Sequence, residues 1–224
     1  MNARGGRLRI GVLASGRGSN LQAIIDAVER GALPAELAVV ISDRETARAL
    51  DRARAHAVPA VCLNPKDYPD RDACDRAVLG ALEAHRVDLV CLAGFMRVLG
   101  ARFVRALSGR VMNIHPSLLP AFPGLGAQRQ ALEHGVRVTG ATVHFVDEGV
   151  DTGPIILQEA VPVLPGDTED TLSARILEAE HRLYPEAIRL YAAGRLRIAG
   201  PPTSICSIAS GSVTPGRATV ASNG

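Results

Sequence analysis

Residues 7–31 read RLRIGVLASGRGSNLQAIIDAVERG: an apolar, β-type run ends in Ser15-Gly16-Arg17-Gly18-Ser19-Asn20 and passes at once into an amphipathic run. A strand that turns through glycines into a helix is the opening unit of an α/β domain. Such a turn places free backbone N–H groups and the positive end of the helix dipole at the strand's carboxyl edge, where anions bind. Glycine lets a ligand come close to that backbone. A dinucleotide fingerprint asks for G-x-G-x-x-G, but counted from Gly16 the third glycine position holds Leu21, and counted from Gly11 the pattern also fails. Gly18, Ser19 and Asn20 still offer amides and a hydroxyl suited to one phosphate monoester. The same hexapeptide also reads as a tight turn in which Ser or Asn caps the helix and nothing binds.

Outward from this unit, short apolar β-branched runs alternate with helical patterns, which predicts βαβ units and a parallel sheet covered by helices on both faces. The expected strands are 8–14, 36–42, 58–63, 87–93, 110–114, 140–146 and 154–162, and the expected helices are 19–30, 45–56, 70–85, 100–108, 126–134 and 168–194. Gly31 and Gly135 read as helix stops, and Thr168 and Thr171, beside Asp167 and Glu169, as N-cap chemistry. Pro185 is expected to kink or split the last helix, because it lacks an N–H and crowds the preceding turn. The folded domain is expected over residues 1–202. Residues 203–224, small and polar without a sustained period, are expected to form a disordered or loosely attached tail.

Composition narrows the function classes. Of 224 residues 47% are hydrophobic, enough for a proper core. Apolar stretches of about five to seven residues fall far short of the roughly 20 that a membrane span needs. The start MNARGGRLRI has no signal-type apolar region, so a cytoplasmic protein is expected. A net charge of +2, 3% aromatic residues and no Trp give little for nucleic acid to hold. Lys66 is the one lysine, and its context LNPKDYP suits neither a Walker-type loop nor a Schiff base. Cys62, Cys74, Cys91 and Cys206 lack metal-ligand spacing, so reduced, mostly buried thiols and no metal are expected.

A second constellation lies further on. In VMNIHPSLLPAFPG (111–124) a strand breaks at Pro116, so Asn113 and His115, two apart, point the same way at its carboxyl end. An amide and an imidazole projecting together can hold a carbonyl oxygen as it becomes an oxyanion. A capped strand end with a hydrogen-bonded His is the plainer reading. Directly after GATVHFV, the loop DEGVDTGP (147–154) carries Asp147, Glu148 and Asp151 among glycines. It is either a solvated acidic loop or the source of a carboxylate that reaches His115, raises its pKa and orients its ring. His144 in GATVHFV either faces the site or is a satisfied strand histidine. With no GxSxG elbow, and no cysteine near His115 in sequence, the inventory suggests non-covalent catalysis: attack by an amine or by water on an activated carbonyl.

The succession SGRGSNLQAII, LAGFMRVL, NIHPSLLPAFPG, GATVHFVDEGVDTGPIILQ and GDTEDTLSARILEAEH, spread over about residues 8–200, resembles the phosphoribosylglycinamide formyltransferase family. The resemblance implies a three-layer, Rossmann-like α/β formyltransferase fold: a mostly parallel seven-stranded sheet with one late antiparallel strand and helices on both faces. It implies formyl transfer from 10-formyltetrahydrofolate, as co-substrate, to the amine of 5-phosphoribosylglycinamide in purine biosynthesis, without a metal, by a monomer or homodimer. Carried over motif by motif, Gly18, Ser19 and Asn20 would hold the phosphoribosyl end and Glu180 the ribose hydroxyls. Asn113, His115 and Asp151 would be catalytic, with Asp151 keeping His115 charged. Folate would lie along Met96, Arg97, Val98 and Leu99, beside Asn113 and the loop Asp147, Glu148, Gly149, Val150 and Asp151, with Arg71 near its acidic tail. Two positions depart from the family pattern: Gly126 stands where relatives often carry His, and Thr142 where they often carry Ser. Two other readings share parts of this inventory. Formyltetrahydrofolate deformylase would use water as acceptor, need no phosphate site, and bring an extra N-terminal regulatory domain. A non-catalytic nucleotide-binding Rossmann module would leave Asn113, His115 and Asp151 idle.

Overall fold

The computed structural model describes residues 6–199 and 205–209, and in it the opening unit folds as β1 (Leu8–Leu13) followed by α1 (Ser19–Glu29). Two further βα units follow, β2 (Ala35–Ser42) with α2 (Arg48–Ala55), then β3 (Ala60–Cys62), a 3₁₀ turn at Pro65–Asp67 and α3 (Arg71–Ala84). Next come β4 (Leu89–Leu92), α4 (Ala101–Ala106), β5 (Val111–His115), α5 (Ala127–Glu133), β6 (Val138–Phe145) and β7 (Ile155–Pro162). A long helix, α6 (Glu169–Ala192), and a hairpin, β8 (Leu196–Ala199) with β9 (Ile205–Ile208), complete the described residues.

The sheet has seven strands in the order β3-β2-β1-β4-β5-β6-β7. β3, β2, β1, β4 and β5 pair in parallel, while β6 is antiparallel to both its neighbours and is therefore the one reversed strand. Alternation along the strands divides the core into two layers. Ile10, Val12, Leu89, Cys91, Met112 and Ile114 pack with Leu21, Ile24, Leu50 and Ile176 from α1, α2 and α6. Leu13, Val39, Ile41, Val90, Leu92 and Val111 pack on the other face with Val78, Leu82 and Phe103 from α3 and α4. Removing each such aliphatic side chain from water is worth about 1.5–3 kcal/mol, which is why the period-two pattern selects both faces so firmly.

Strand order reverses at β1: the chain runs from β1 outward to β3, then returns to place β4 on β1's other side. Clefts in open α/β sheets form at this switch point, outside the strands' carboxyl ends. The loop after β1 and the loop after β4 meet there. Ser15 N donates to Gly94 O (3.1 Å), and Met96 N donates to Ser15 Oγ (2.9 Å).

Two expectations need correction. Pro185 lies inside α6 and does not split it. Residues on both sides of the proline are held against the sheet: Leu183, Tyr184, Ala187 and Ile188 are buried, and Tyr184 OH reaches Leu92 O (2.9 Å) and Met112 O (3.0 Å). This anchoring outweighs the single helical hydrogen bond that proline cannot make. Within the stretch expected to be a loose tail, Ile205–Ile208 pairs antiparallel with β8 and lies against β7, with Cys206 packed on the core. The remainder of 203–224, apart from Ala209, lies outside the described residues.

Candidate active site

The site is built on the carboxyl end of β5. Register pairs Asn113 with His144 and His115 with Thr142 across the β5–β6 ladder, so two histidines and an amide gather where the sheet ends. His115 and His144 are 4% and 2% exposed. Beyond them the backbone is strained at two non-glycine residues that close on the same ring, Phe122 (φ 54°) and Asp151 (φ 55°). Phe122 O lies 2.8 Å from His115 Nε2; a carbonyl can only accept, so Nε2 carries a proton. Asp151 Oδ2 lies 3.3 Å from His115 Nδ1 and accepts from Gly124 N at 2.8 Å. Asp151 Oδ1 accepts from Asn113 Nδ2 (3.3 Å) and lies 3.5 Å from His144 Nε2. His144 Nε2 is also 3.2 Å from Asn113 Nδ2, so His144 faces the site and is part of the cluster.

Electrostatically the cluster differs from the expectation. Burial pushes the His115 pKa down and outweighs the Phe122 carbonyl and the Asp151 carboxylate, which push it up; His144 adds to the lowering. The net direction is downward, so the carboxylate does reach the ring but does not hold it charged in the free protein. Burial pushes the Asp151 carboxyl up, yet the hydrogen bonds of His144 and Gly124 and the nearby imidazoles together hold it below the usual carboxylate range. The site is therefore an ionised Asp beside a neutral His, a pair that can take up one proton as a unit.

Of the acidic loop, Asp151 alone enters the cluster. Asp147 Oδ1 accepts from Gly149 N (3.0 Å) and Thr152 Oγ1 (2.7 Å), closing the loop's own turn. Glu148 turns outward to Arg105 Nη1 (3.0 Å). Thr142 Oγ1 donates to Ser117 O (2.7 Å) and accepts from Leu119 N (3.1 Å), so the hydroxyl at this position braces the segment that carries Phe122. Gly126 lies at the start of α5 and adds no side chain to the cluster.

The β1 loop supplies the other half of the cleft. Gly18 precedes α1 with φ 71°, and a Cβ there would lie 2.8 Å from Ala49 Cα, so both conformation and space demand glycine. No side chain caps α1, which leaves its first N–H groups without a side-chain acceptor. Asn20 does not turn its amide to that end; Nδ2 donates to Glu180 Oε2 at 2.7 Å, and both side chains are buried. Asn20 Oδ1 is buried without a hydrogen-bond partner among the described residues. Burial pushes Glu180 up, partly offset by the Asn20 bond. In the β4 loop, Met96 and Val98 are exposed while Leu99 is buried and Arg97 turns inward to Asp75. Val150 is exposed on the 147–151 loop, and Arg71, at the start of α3, reaches Leu99 O at 3.4 Å. Sequence reasoning missed Ser15, Phe122 O, Gly124 N and Asp75. Ser15 stood inside the glycine motif; the backbone groups carry no residue-type signal. Among the described residues no group of three or more His, Cys, Asp or Glu side chains is arranged to hold a metal ion.

Residues 8–188 match the family described as formyl transferase. The chain is 52% identical over 193 residues to the trifunctional purine biosynthetic protein adenosine-3 of Drosophila pseudoobscura pseudoobscura, a match covering 85% of the chain and 14% of that protein. It thus spans about one seventh of that trifunctional relative's length. Identity is 45% over 191 residues to the phosphoribosylglycinamide formyltransferase of Escherichia coli (strain K12), covering 85% of this chain and 90% of that one. Glycinamide ribonucleotide transformylase 1 from Symbiobacterium toebii superposes with a TM-score of 0.89 at 57% identity, covering 94% and 98% of the two chains. A formyltetrahydrofolate deformylase from Pseudomonas syringae pv. tomato shares the fold, with a TM-score of 0.84, at 26% identity, covering 92% of this chain and 67% of that one.

Proposed function

Since the chain belongs to the formyl transferase family, we propose that it transfers the formyl group of 10-formyltetrahydrofolate to the amine of 5-phosphoribosylglycinamide in de novo purine biosynthesis. The observation that carries this reading is the convergence of Asn113, His115 and the Asp151 carboxylate at the sheet's carboxyl edge, on the side of the switch point where the Gly18 turn opens.

The substrate's phosphate sits on the free N–H groups at Gly18, Ser19 and Asn20, where the helix dipole favours an anion. The Asn20–Glu180 pair takes the ribose hydroxyls: the carboxylate accepts from them, and the unpartnered Asn20 Oδ1 is a further acceptor. Folate lies against the apolar side chains of Met96, Val98 and Val150, which are 53%, 61% and 54% exposed, with Arg71 toward its carboxylates. As the neutral amine forms its bond to the formyl carbon, negative charge moves onto the formyl oxygen. Asn113 Nδ2, held only by long contacts of 3.2 and 3.3 Å, swings its donor to that oxygen. The His115–Asp151 pair accepts the amine proton, and the imidazolium so formed adds its charge to the stabilisation. Collapse breaks the bond from carbon to the folate nitrogen, and the pair returns the proton there. Burial, by holding His115 neutral beforehand, keeps the pair able to accept. The free thiols of Cys62, Cys74, Cys91 and Cys206 suit a reducing cytoplasm.

The deformylase reading has the shared fold in its favour, and the phosphate turn and the higher identity to the transferases against it. Purified protein is to be assayed with 10-formyltetrahydrofolate, with and without phosphoribosylglycinamide. Formyl transfer that requires the amine is expected. Folate turnover independent of the amine would assign a hydrolase, and binding without turnover an idle nucleotide module.

A further inference from the structure

We propose that Asp75, on the buried face of α3, is a positioning residue for the folate wall, a role that rests on the function proposed above. Asp75 is 5% exposed and lies far from the reacting cluster in sequence. Its two oxygens meet two points of one loop: Oδ1 is ion-paired with Arg97 Nη2 at 2.8 Å without making a hydrogen bond, and Oδ2 accepts from Gly100 N at 2.8 Å. The approach at Gly100 is so close that a Cβ there would lie 2.8 Å from Asp75 Oδ2. One helical turn earlier on the same face, Arg71 donates to Leu99 O.

The loop between β4 and α4 is thereby held from two sides. Ser15 fixes its first half through Gly94 O and Met96 N, and α3 fixes its second half through Arg97, Leu99 and Gly100. Between these clamps the chain alternates: Arg97 and Leu99 point in, Met96 and Val98 point out. Arg97 is committed inward. It is ion-paired with Asp75 and lies over the Phe95 ring at 5.7 Å, while all three of its guanidinium nitrogens, like Asp75 Oδ1, are buried without a hydrogen-bond partner among the described residues. A guanidinium desolvated for an ion contact alone is a poor source of stability compared with an apolar pair of the same volume. What the pair does secure is direction. With Arg97 drawn to Asp75, its two neighbours must face the cleft, so the carboxylate sets which side chains line the folate.

The test compares wild type with Asp75→Asn, and with Asp75→Asn combined with Arg97→Met, which removes both buried charges and keeps the volume if the single variant does not fold. Three readouts are taken: tetrahydrofolate Kd by titration, steady-state constants for both substrates, and amide exchange over residues 96–100. Loss of a charged buried contact predicts about a tenfold rise in tetrahydrofolate Kd in either variant. In Asp75→Asn, KM for the folate rises likewise, kcat at saturating folate and KM for the amine substrate stay unchanged, and exchange over 96–100 quickens. General structural damage would instead lower kcat and leave both KM values in proportion. An unchanged Kd, or unchanged exchange over 96–100, in a folded variant overturns the assignment. A wild-type protein that neither binds tetrahydrofolate nor transfers formyl overturns the parent function, and this role with it.

Discussion

At the scale of single residues, Asp151 is the group on which the site turns. Its left-handed backbone aims one oxygen at His115 and Gly124 and the other at Asn113 and His144. Asp151→Asn keeps the shape but removes the charge that stabilises the imidazolium, so kcat for formyl transfer is expected to fall about 10²- to 10³-fold with the fold intact by circular dichroism. A kcat near the wild-type value would remove Asp151 from the mechanism. Glu180 offers the opposite trade between function and stability. Its folded pKa is raised by burial, so its favourable contribution is complete below about 4.5 and is lost as pH rises through the folded value. At pH 8 the ionised group therefore weighs against the fold. Glu180→Gln keeps an acceptor for Asn20 and carries no charge, so thermal melting at pH 8 is expected to move up by a few degrees while KM for phosphoribosylglycinamide increases. A lower melting point would show that the carboxylate itself supports the fold.

At the scale of elements, the β1–α1 turn is the most constrained connection. Gly18 combines a positive φ with contact against the first turn of α2, and Ala49 N donates to Gly16 O (3.1 Å), so α2 holds the turn that α1 opens. Gly18→Ala forces both strain and displacement. It is expected to lower stability in urea by about 1–3 kcal/mol and to raise KM for phosphoribosylglycinamide without altering that for the folate. An equal effect on both substrates would mean the turn does not serve the phosphate end. Most elements were legible locally because their signals are local. The α6 start is a capping box between Thr168 and Thr171, and Asp167 braces it through Arg175 Nη1 at 2.8 Å. Pro185 misled because helix breaking is a local cost, while the packing of Tyr184 that overrides it depends on strands 72 and 92 residues away in sequence. The β8–β9 hairpin escaped notice for a similar reason: Ile205–Ile208 is too short and too polar in its surroundings to announce a strand, and pairing with β8 defines it.

At the scale of the whole molecule, covering the carboxyl edge makes stability depend on pH. Burial lowers the pKa of both His115 and His181, the latter next to Glu180 on α6, so each adds stability that is complete above about 6.5 and is lost as pH falls through the folded value, where the unfolded chain binds the proton first. Glu180 acts in the opposite sense above about 4.5, and the measurement belongs in the Glu180→Gln background. There the denaturation midpoint is expected to fall from pH 7 to pH 5, and His115→Asn to flatten that slope. A midpoint independent of pH over this range would show that neither histidine is desolvated as described. By itself the sequence determined the α/β order, the two faces of the sheet, the glycine turn after β1 and the Asn113–His115 pair, because periodicity and glycine placement record burial and backbone freedom one residue at a time. Only the tertiary structure decided which of Asp147, Glu148 and Asp151 reaches the imidazole, that burial outweighs that carboxylate, that Asn20 meets Glu180 across 160 residues, and that Asp75 grips the β4 loop. Contacts between distant segments and the loss of water around a charge depend on what the fold lays over each group, and no local pattern encodes that.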